Sequence, residues 1–155
     1  MKQRIYIDTS VVGGYFDDEF TDDTIQFFNR VKNGEINIIV SDILLAELIR
    51  APKFIQDLLE SISNKFKIEA KLTPEAIELA DKYIEAKVVG KTSRIDCQHI
   101  AIATLTNADV LVSWNFKHIV NLDRIRGYNG INYKNGYKMI EIRTPKEIIK
   151  YGSED

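Results

Sequence analysis

The chain has 155 residues, a length typical of one domain, and we predict a single domain over residues 1–155. Apolar residues make up 45% of the chain and charged residues 28%, a composition that excludes disordered, collagen-like and coiled-coil proteins. The net charge of −2 gives no general attraction for nucleic acid, so any contact with nucleic acid has to be local.

Strand-like and helical segments alternate through the first half of the chain. Arg4–Ile7 is a short β-prone run that suits a buried parallel strand, and Asp8-Thr9-Ser10 ends it in a turn. The pair Gly13-Gly14 indicates a flexible loop rather than a dinucleotide-binding motif. The segments predicted next are a helix over Thr21–Lys32, a strand over 36–40, a helix over 42–50 that Ser41 caps, a helix over 54–61 and a brief strand over 66–68.

The alternation continues in the second half. Thr73-Pro74 is typical of a helix start, and this helix is predicted to reach about residue 87. Ser93 is expected to cap a helix that ends at Asn107, and a strand follows over 110–113. Asn135-Gly136 either ends a helix over 122–134, which we prefer, or forms a hairpin turn. A last strand over 138–142 and a short terminal helix from Thr144-Pro145 complete the prediction.

This order of elements predicts an α/β fold with three layers, α/β/α, around a parallel central sheet. Ligands of such sheets bind outside the carboxyl ends of the strands. Asp8, Glu47, Asp96 and Asn115 are all expected near that edge, although they lie far apart in the sequence. Three converging carboxylates would repel one another unless a cation neutralised them. Oxygen ligands without a cluster of Cys and His favour Mg²⁺ or Mn²⁺ over Zn²⁺.

Each of these acids also has a purely structural interpretation. Asp8 is suited to capping the turn after the first strand. Glu47 is either the solvent-facing position of a half-buried helix or a carboxylate held in a pocket by a partner. Asp96 lies three residues after Ser93, which is the spacing of a capping box. His99, within an apolar stretch, is interpreted as a hydrogen-bonded core residue.

The sequence resembles the PIN-domain ribonuclease family in the order and spacing of four motifs, over nearly the whole chain. The four segments are residues 5–10 with Asp8, residues 41–47 with Ser41-Asp42 and Ala46-Glu47, residues 96–103 with Asp96 and His99, and residues 108–115 ending in Trp114-Asn115. The resemblance implies a PIN-like fold and a metal-dependent endoribonuclease that leaves a 5′-phosphate. It also implies that Asp8, Glu47 and Asp96 bind the metal.

Small single-domain members of this kind are most often VapC-type toxins, so the resemblance implies an antitoxin protein as partner and a homodimer. The chain departs from the family pattern at one position, because Asn115 stands where a fourth acid is usual. An amide carbonyl can bind Mg²⁺ but adds no charge. We therefore expect Asn115 to weaken a second metal site while remaining part of the catalytic set.

The leading hypothesis is a nuclease that acts on single-stranded RNA, in which a bound cation would activate water against the phosphodiester. Lys91 and Arg94, near the start of the helix that carries Asp96, are candidate phosphate contacts. Lys117 and His118 are weaker candidates, and ordinary surface charge is the alternative for all four. Trp114 either stacks on a base or packs under the active-site loop.

Two other functions compete with this hypothesis. A catalytically silent PIN-like module would bind RNA or a protein without cutting, and Asn115 and the acidic pI of 5.8 favour it. An aspartyl phosphotransferase would use Asp8 as its nucleophile, but the haloacid dehalogenase-like pattern needs a second Asp where this chain has Ser10.

The compartment is predicted from what the chain lacks. No apolar stretch approaches the roughly 20 residues that cross a bilayer, and the N-terminus has no secretory h-region. Cys97 is the single cysteine, which suits a reducing compartment. These features predict a cytoplasmic protein without a membrane segment.

Overall fold

The computed structural model describes residues 2–152, and its centre is a five-stranded sheet in the order β3-β2-β1-β4-β5 with every neighbouring pair parallel. The strands are β1 Arg4–Ile7, β2 Asn37–Ser41, β3 Lys67–Ala70, β4 Val110–Val112 and β5 Ile142–Arg143. The helices are α1 Thr9–Gly14, α2 Thr21–Lys32, α3 Asp42–Ile49, α4 Lys53–Glu60, α5 Pro74–Glu85, α6 Arg94–Leu105, α7 Leu122–Lys134 and α8 Pro145–Gly152. Within the described residues, no helix is long and apolar enough to cross a membrane.

Both faces of the sheet are buried, which confirms the predicted three layers. Along β1 the side chains alternate between the faces, so Ile5 and Ile7 enter one core and Tyr6 enters the other. The first core includes Phe27, Phe28 and Val31 of α2 with residues of α1, α3, α4 and α8, and the second includes residues of α5, α6 and α7. Short apolar strands without polar alternation are what such a doubly covered sheet requires.

The second half of the chain shows which of two turns is formed at Asn135-Gly136. Helix α7 ends at Lys134, and Gly136 follows it with a φ of +79°, a left-handed conformation that glycine adopts without steric cost. The preferred helix is therefore confirmed, and the hairpin is excluded.

Two predicted segments differ from the structure. Residues 9–14, expected as a turn and loop, form the short helix α1, because Asp8 caps its first turn by accepting from the Val11 amide. The last strand, expected over 138–142, is confined to Ile142–Arg143. The side chain of Asn129 on α7 bonds both the amide and the carbonyl of Ile140, so those groups are satisfied outside the sheet.

Candidate active site

The candidate site lies where the sheet changes direction. The chain runs from β1 outward to β2 and β3 and then returns to the other side of β1 with β4, so the carboxyl ends of β1 and β4 flank a topological switch point. Such a point is the usual ligand crevice of an open α/β sheet. Asp8 directly follows β1, and Ser113 directly follows β4.

Asp8 is held rigidly at this point. The side chain is 4% exposed, and one carboxylate oxygen accepts from the Ser10 hydroxyl at 2.6 Å while the other accepts from the Ser113 hydroxyl at 2.6 Å. Burial raises the pKa of Asp8, against the opposing effects of the His99 charge and of these hydrogen bonds. The turn-capping interpretation is correct, since Asp8 caps α1. It does not account for the hydrogen bond that Asp8 accepts from Ser113.

Glu47 lies on α3, beyond the end of β2, and is half-exposed. One of its carboxylate oxygens, Oε1, accepts from Nε2 of His99 at 3.0 Å and from the hydroxyl of Thr9. Burial works to raise the pKa of Glu47, but the hydrogen bonds from His99 and Thr9 and the charge of His99 outweigh it and hold the pKa below its usual range. Of the two interpretations open for Glu47, the structure supports a carboxylate with a partner.

His99 connects Glu47 to the centre of the sheet. The ring is 2% exposed, and its other nitrogen, Nδ1, lies 2.7 Å from the Tyr6 hydroxyl, which in turn lies 2.9 Å from the Ser41 hydroxyl. Ser41 also caps α3 by accepting from the Leu44 amide. The core interpretation of His99 is therefore incomplete, because the residue fixes the position of Glu47 as well.

Asp96 lies in the first turn of α6 and faces the same edge. The expected capping box is not formed, since Ser93 makes no side-chain capping hydrogen bond and a 3₁₀ turn over Lys91–Ser93 leads into the helix instead. Oδ2 of Asp96 accepts a hydrogen bond from the side-chain NH₂ group of Asn115 at 3.3 Å. Burial and then the charge of Asp8 raise the pKa of Asp96, so the two carboxylates interact electrostatically.

The orientation of the Asn115 amide is set by its neighbours. Its oxygen accepts from the backbone amides of Lys117 and His118, at 3.2 and 3.0 Å, and so caps the turn over 116–119. Because both of these neighbours can only donate, the other end of the amide must be the NH₂ group that faces Asp96. Asn115 thus acts in this structure as a donor to a carboxylate.

Two of the acids at this edge suit a divalent cation. Among the residues that the structure describes, no three His, Cys, Asp or Glu side chains form a ready-made metal cage. Mg²⁺, however, is usually held by one or two carboxylates and keeps several waters. Asp8 and Asp96 fit that requirement. The pKa of each is raised, and a nearby cation would lower it again.

The four basic candidates for RNA binding occupy different environments. Arg94 is paired with Asp81 of α5, whereas Lys91 is exposed on the 3₁₀ turn before α6. Lys117 is exposed and follows Asn115 by two residues, and His118 lies close enough to Asp96 for its charge to act on that carboxylate.

Several residues at this edge were missed by sequence reasoning. Thr9, Ser10, Ser113 and Tyr6 support the acids, and only their places immediately beside or within the strands could have indicated them. Arg50 follows Glu47 by three residues and shares with it a groove of about 410 Å³ between α3 and Ile95. The i,i+3 spacing places both on one side of the helix.

Comparison with known proteins identifies the family of this chain. The sequence matches the PIN domain family over residues 5–118, a range that includes Asp8, Glu47, Asp96 and Asn115. The chain therefore belongs to the PIN domain family, whose members are generally nucleases and typically depend on divalent metal ions.

Among solved structures, the chain is similar to one in the crystal structure of VapBC2 from Rickettsia felis bound to a DNA fragment from their promoter. The TM-score is 0.53 at 16% identity, with 92% of this chain and 98% of the other covered. At this identity the likeness concerns the fold. No curated protein matches the sequence.

Proposed function

We propose that this protein is a divalent-metal-dependent endoribonuclease that hydrolyses single-stranded RNA. The observation that carries the proposal is the pair Asp8 and Asp96 at the switch point of the sheet, where burial and, for Asp96, the charge of its neighbour raise both pKa values. Holding two such carboxylates close together lowers the stability of the fold when no ligand binds them. The cost is offset when a cation binds between the carboxylates.

The residues at the edge have distinct roles in the proposed reaction. Asp8 and Asp96 would hold the cation, and Glu47, which is not gathered with them into a three-residue cage in this structure, is proposed as its third ligand. When bound, the cation would lower the pKa of a water molecule and neutralise charge on the phosphate. Glu47, kept ionised by His99 and Thr9, accepts a hydrogen bond from the attacking water and orients it. The oxygen of this water forms the new bond to phosphorus as the water loses a proton to solvent, and the P–O3′ bond breaks as O3′ takes up a proton from solvent. The products carry a 5′-phosphate and a 3′-hydroxyl.

Cationic side chains would hold the RNA backbone around this centre. Lys117 and His118 lie beside Asn115, and Arg50 lies beside Glu47, so phosphates on both sides of the reacting one can be contacted. Lys91 contributes at the start of α6. Arg94 also belongs to the proposed set, although it must exchange its ion pair with Asp81 for a phosphate.

The cellular role we propose is that of a cytoplasmic toxin controlled by an antitoxin protein. We base the proposed partner, an antitoxin protein, on the similar VapBC2 structure, which is a complex. An exposed apolar surface on α3 and α4, with Leu45, Ile49 and Phe54 between 47% and 75% exposed, suits burial by such a partner. A homodimer is the second proposed assembly, and the mass of the purified protein in solution distinguishes it from a monomer.

The proposed activity is tested by incubating a pooled single-stranded RNA with the protein in Mn²⁺, in Mg²⁺ and in EDTA. We expect cleavage in either metal and none in EDTA. Asp8→Asn and Asp96→Asn should abolish cleavage, whereas the matched control Asp57→Asn, in an exposed ion pair on α4, should retain it.

The silent binding module remains the second candidate, and two observations favour it. Asn115 replaces an acid, and no three potential ligand side chains among the described residues are gathered into a cage. RNA binding in EDTA without cleavage in any metal would support the silent module and contradict the nuclease.

A further inference from the structure

Three aromatic rings form a cluster beside the candidate active site. Phe20 and Trp114 are stacked, with ring centroids 4.4 Å apart and an angle of 16° between the ring planes. The Phe116 ring lies 6.1 Å from Phe20 and 6.2 Å from Trp114. We call Phe20 and Trp114 the aromatic platform, because Phe116, which is 50% exposed, rests against both of them.

The platform is fixed in position. Trp114 is 8% exposed, and its ring nitrogen donates to the Thr24 hydroxyl at 3.0 Å. A Cβ at Gly14 would lie 2.7 Å from the Trp114 ring, so this position has to remain without a side chain. Trp114 is therefore the packed side chain of the two alternatives that the sequence left open, and it is not accessible for stacking on a base.

The same platform is joined to the acids through backbone contacts. The Trp114 amide donates to the Ser10 hydroxyl at 2.8 Å, and Ser10 in turn donates to Asp8. Phe116 follows Asn115 directly, and the Asn115 side chain donates to Asp96. The exposed Phe116 ring is thus held at the rim of the site by residues that contact both Asp8 and Asp96.

An exposed phenylalanine by itself needs no functional explanation. Phe116 differs because its half-exposed ring lies against two other rings, at angles of 43° and 53° to them, and because the exposed Lys117 follows it in the chain. Aromatic rings with free faces beside cationic side chains are how proteins bind unpaired bases of single-stranded RNA. An apolar protein contact would not require the adjacent charge.

We infer that Phe116 is a nucleobase-stacking subsite, which takes an unpaired base next to the phosphate that a cation at Asp8 and Asp96 would engage. The inference rests on the proposed ribonuclease function and extends it. Every base has a π face, so this subsite favours unpaired RNA over duplex RNA without selecting one base. Preference for single strands would then follow from Phe116, and preference for sequence would have to come from elsewhere.

The test measures binding of a fluorescent single-stranded RNA to the full chain in EDTA, where cleavage is not expected. Phe116→Ala should weaken binding about 5- to 150-fold, the range found for loss of one stacked base. Phe116→Trp should restore binding. Tyr133→Ala serves as the control, because Tyr133 is an aromatic residue that is 78% exposed on α7, and it should bind as the wild type does.

A second RNA, with abasic nucleotides in place of the bases, separates stacking from other effects. The wild type and Phe116→Ala should bind this RNA equally, because neither can stack. If Phe116→Ala binds the normal RNA as tightly as the wild type, the inference is wrong. The same result with a changed solution mass would assign Phe116 to a protein interface instead.

Failure of the inference is distinguishable from failure of the proposed function. If the wild type cleaves RNA in Mn²⁺ and Phe116→Ala binds and cleaves equally well, only the stacking subsite is wrong. If the wild type neither binds nor cleaves single-stranded RNA, both proposals are wrong.

Discussion

At the two ends of the candidate active site, the pKa values of the carboxylates are shifted in opposite directions. Asp8 is buried between β1 and β4, and burial raises its pKa despite two serine hydroxyls and the amide that donate to it. Glu47 is half-exposed on α3, and there the opposing effect of burial is outweighed by His99 and Thr9, which lower its pKa. The comparison shows that full burial outweighs the His99 charge and the hydrogen bonds at Asp8, whereas at the partly buried Glu47 its direct partners outweigh burial.

This difference has a chemical consequence. Glu47 is stabilised as an anion by the protein alone, whereas Asp8 and Asp96 are anions that the protein stabilises incompletely. We therefore expect most of the binding free energy of a cation to come from Asp8 and Asp96. Glu47 then contributes an oriented carboxylate oxygen, ionised over a wider pH range than usual, rather than the principal driving force for metal binding.

The largest effect is expected from removing the buried charge. Asp8→Asn should reduce metal-dependent RNA cleavage by more than the roughly 100-fold that the loss of a supporting group around a metal site costs. The reason is that Asp8 is a proposed direct ligand, and an amide supplies no charge. Cleavage rates in Mn²⁺ check the prediction, and rates equal to those of the wild type would place the metal site elsewhere.

The same variant should change stability in the opposite direction. The native pKa of Asp8 lies above its ordinary value of 3.8, so the native state binds this proton more tightly than the unfolded state. The resulting stabilisation is full below 3.8 and is lost as the pH rises through the native pKa. In EDTA, the Tm of Asp8→Asn relative to the wild type should therefore increase with pH over this interval. A difference in Tm that does not vary with pH would contradict the raised pKa.

The next largest effect should follow from releasing Glu47. His99→Leu removes the Nε2 donor to Glu47, and we expect Mn²⁺ affinity to fall about 10- to 100-fold, as for other groups that orient metal ligands. His99→Gln can still donate to Glu47 and should retain more of the affinity. Calorimetric titration with Mn²⁺ measures both variants.

A purely structural role for His99 gives a different pattern. Because the ring is buried against Tyr6, both substitutions are expected to lower the Tm. If the two variants lose equal stability and neither changes Mn²⁺ affinity, His99 supports the core alone, and the contrast between Glu47 and Asp8 loses its proposed cause.

Much of the fold could be predicted because its signals are local. Helix α2 was predicted with its observed bounds, since apolar residues at helical spacing are followed by the stop at Asn33-Gly34. The short helix α1 and the short β5 were not, because each depends on one side chain acting at a particular place. Asp8 caps α1, and Asn129 satisfies the backbone at Ile140.

The site was predictable to a lesser extent. Strand ends and spacing were sufficient to expect Asp8, Glu47, Asp96 and Asn115 at one edge, but they contain no information on hydrogen-bond partners. The contact between His99 and Glu47 joins residues 52 positions apart, and that between Ser113 and Asp8 joins residues 105 apart. Such pairs depend on how the helices pack on the sheet, which no local pattern encodes.

A smaller effect is expected at Ser113, the hydroxyl that connects β4 to Asp8. Ser113→Ala removes the hydroxyl that donates to Asp8 and accepts from the backbone N–H of Asn115. We expect Mn²⁺ affinity to fall about tenfold, the lower end of the range for groups that support metal ligands. Thr104→Ala is a matched control, since it removes a buried hydroxyl on α6, about two turns beyond Asp96. It should lower the Tm without changing Mn²⁺ affinity, and an equal loss of affinity in both variants would contradict the role of Ser113.

The smallest change in rate is expected at Asn115, where the chain departs from the family pattern. Asn115→Asp replaces the amide that donates to Asp96 by a carboxylate facing a carboxylate, while its other oxygen can still cap the turn over 116–119. In EDTA the added repulsion should lower the Tm and raise the pKa of Asp96 further.

A bound cation should reverse that repulsion, so Asn115→Asp is expected to gain more Tm from Mg²⁺ than the wild type does and to cleave RNA a few-fold faster at saturating Mg²⁺. Parallel titrations of both proteins, by thermal unfolding and by cleavage rate, measure the two effects. If the rate falls at saturating metal while the fold is intact, the hydrogen bond from Asn115 to Asp96 is itself needed for activity. The amide would then be a working part of the site, and the comparison of its two ends would have to include a third residue that acts by donating rather than by charge.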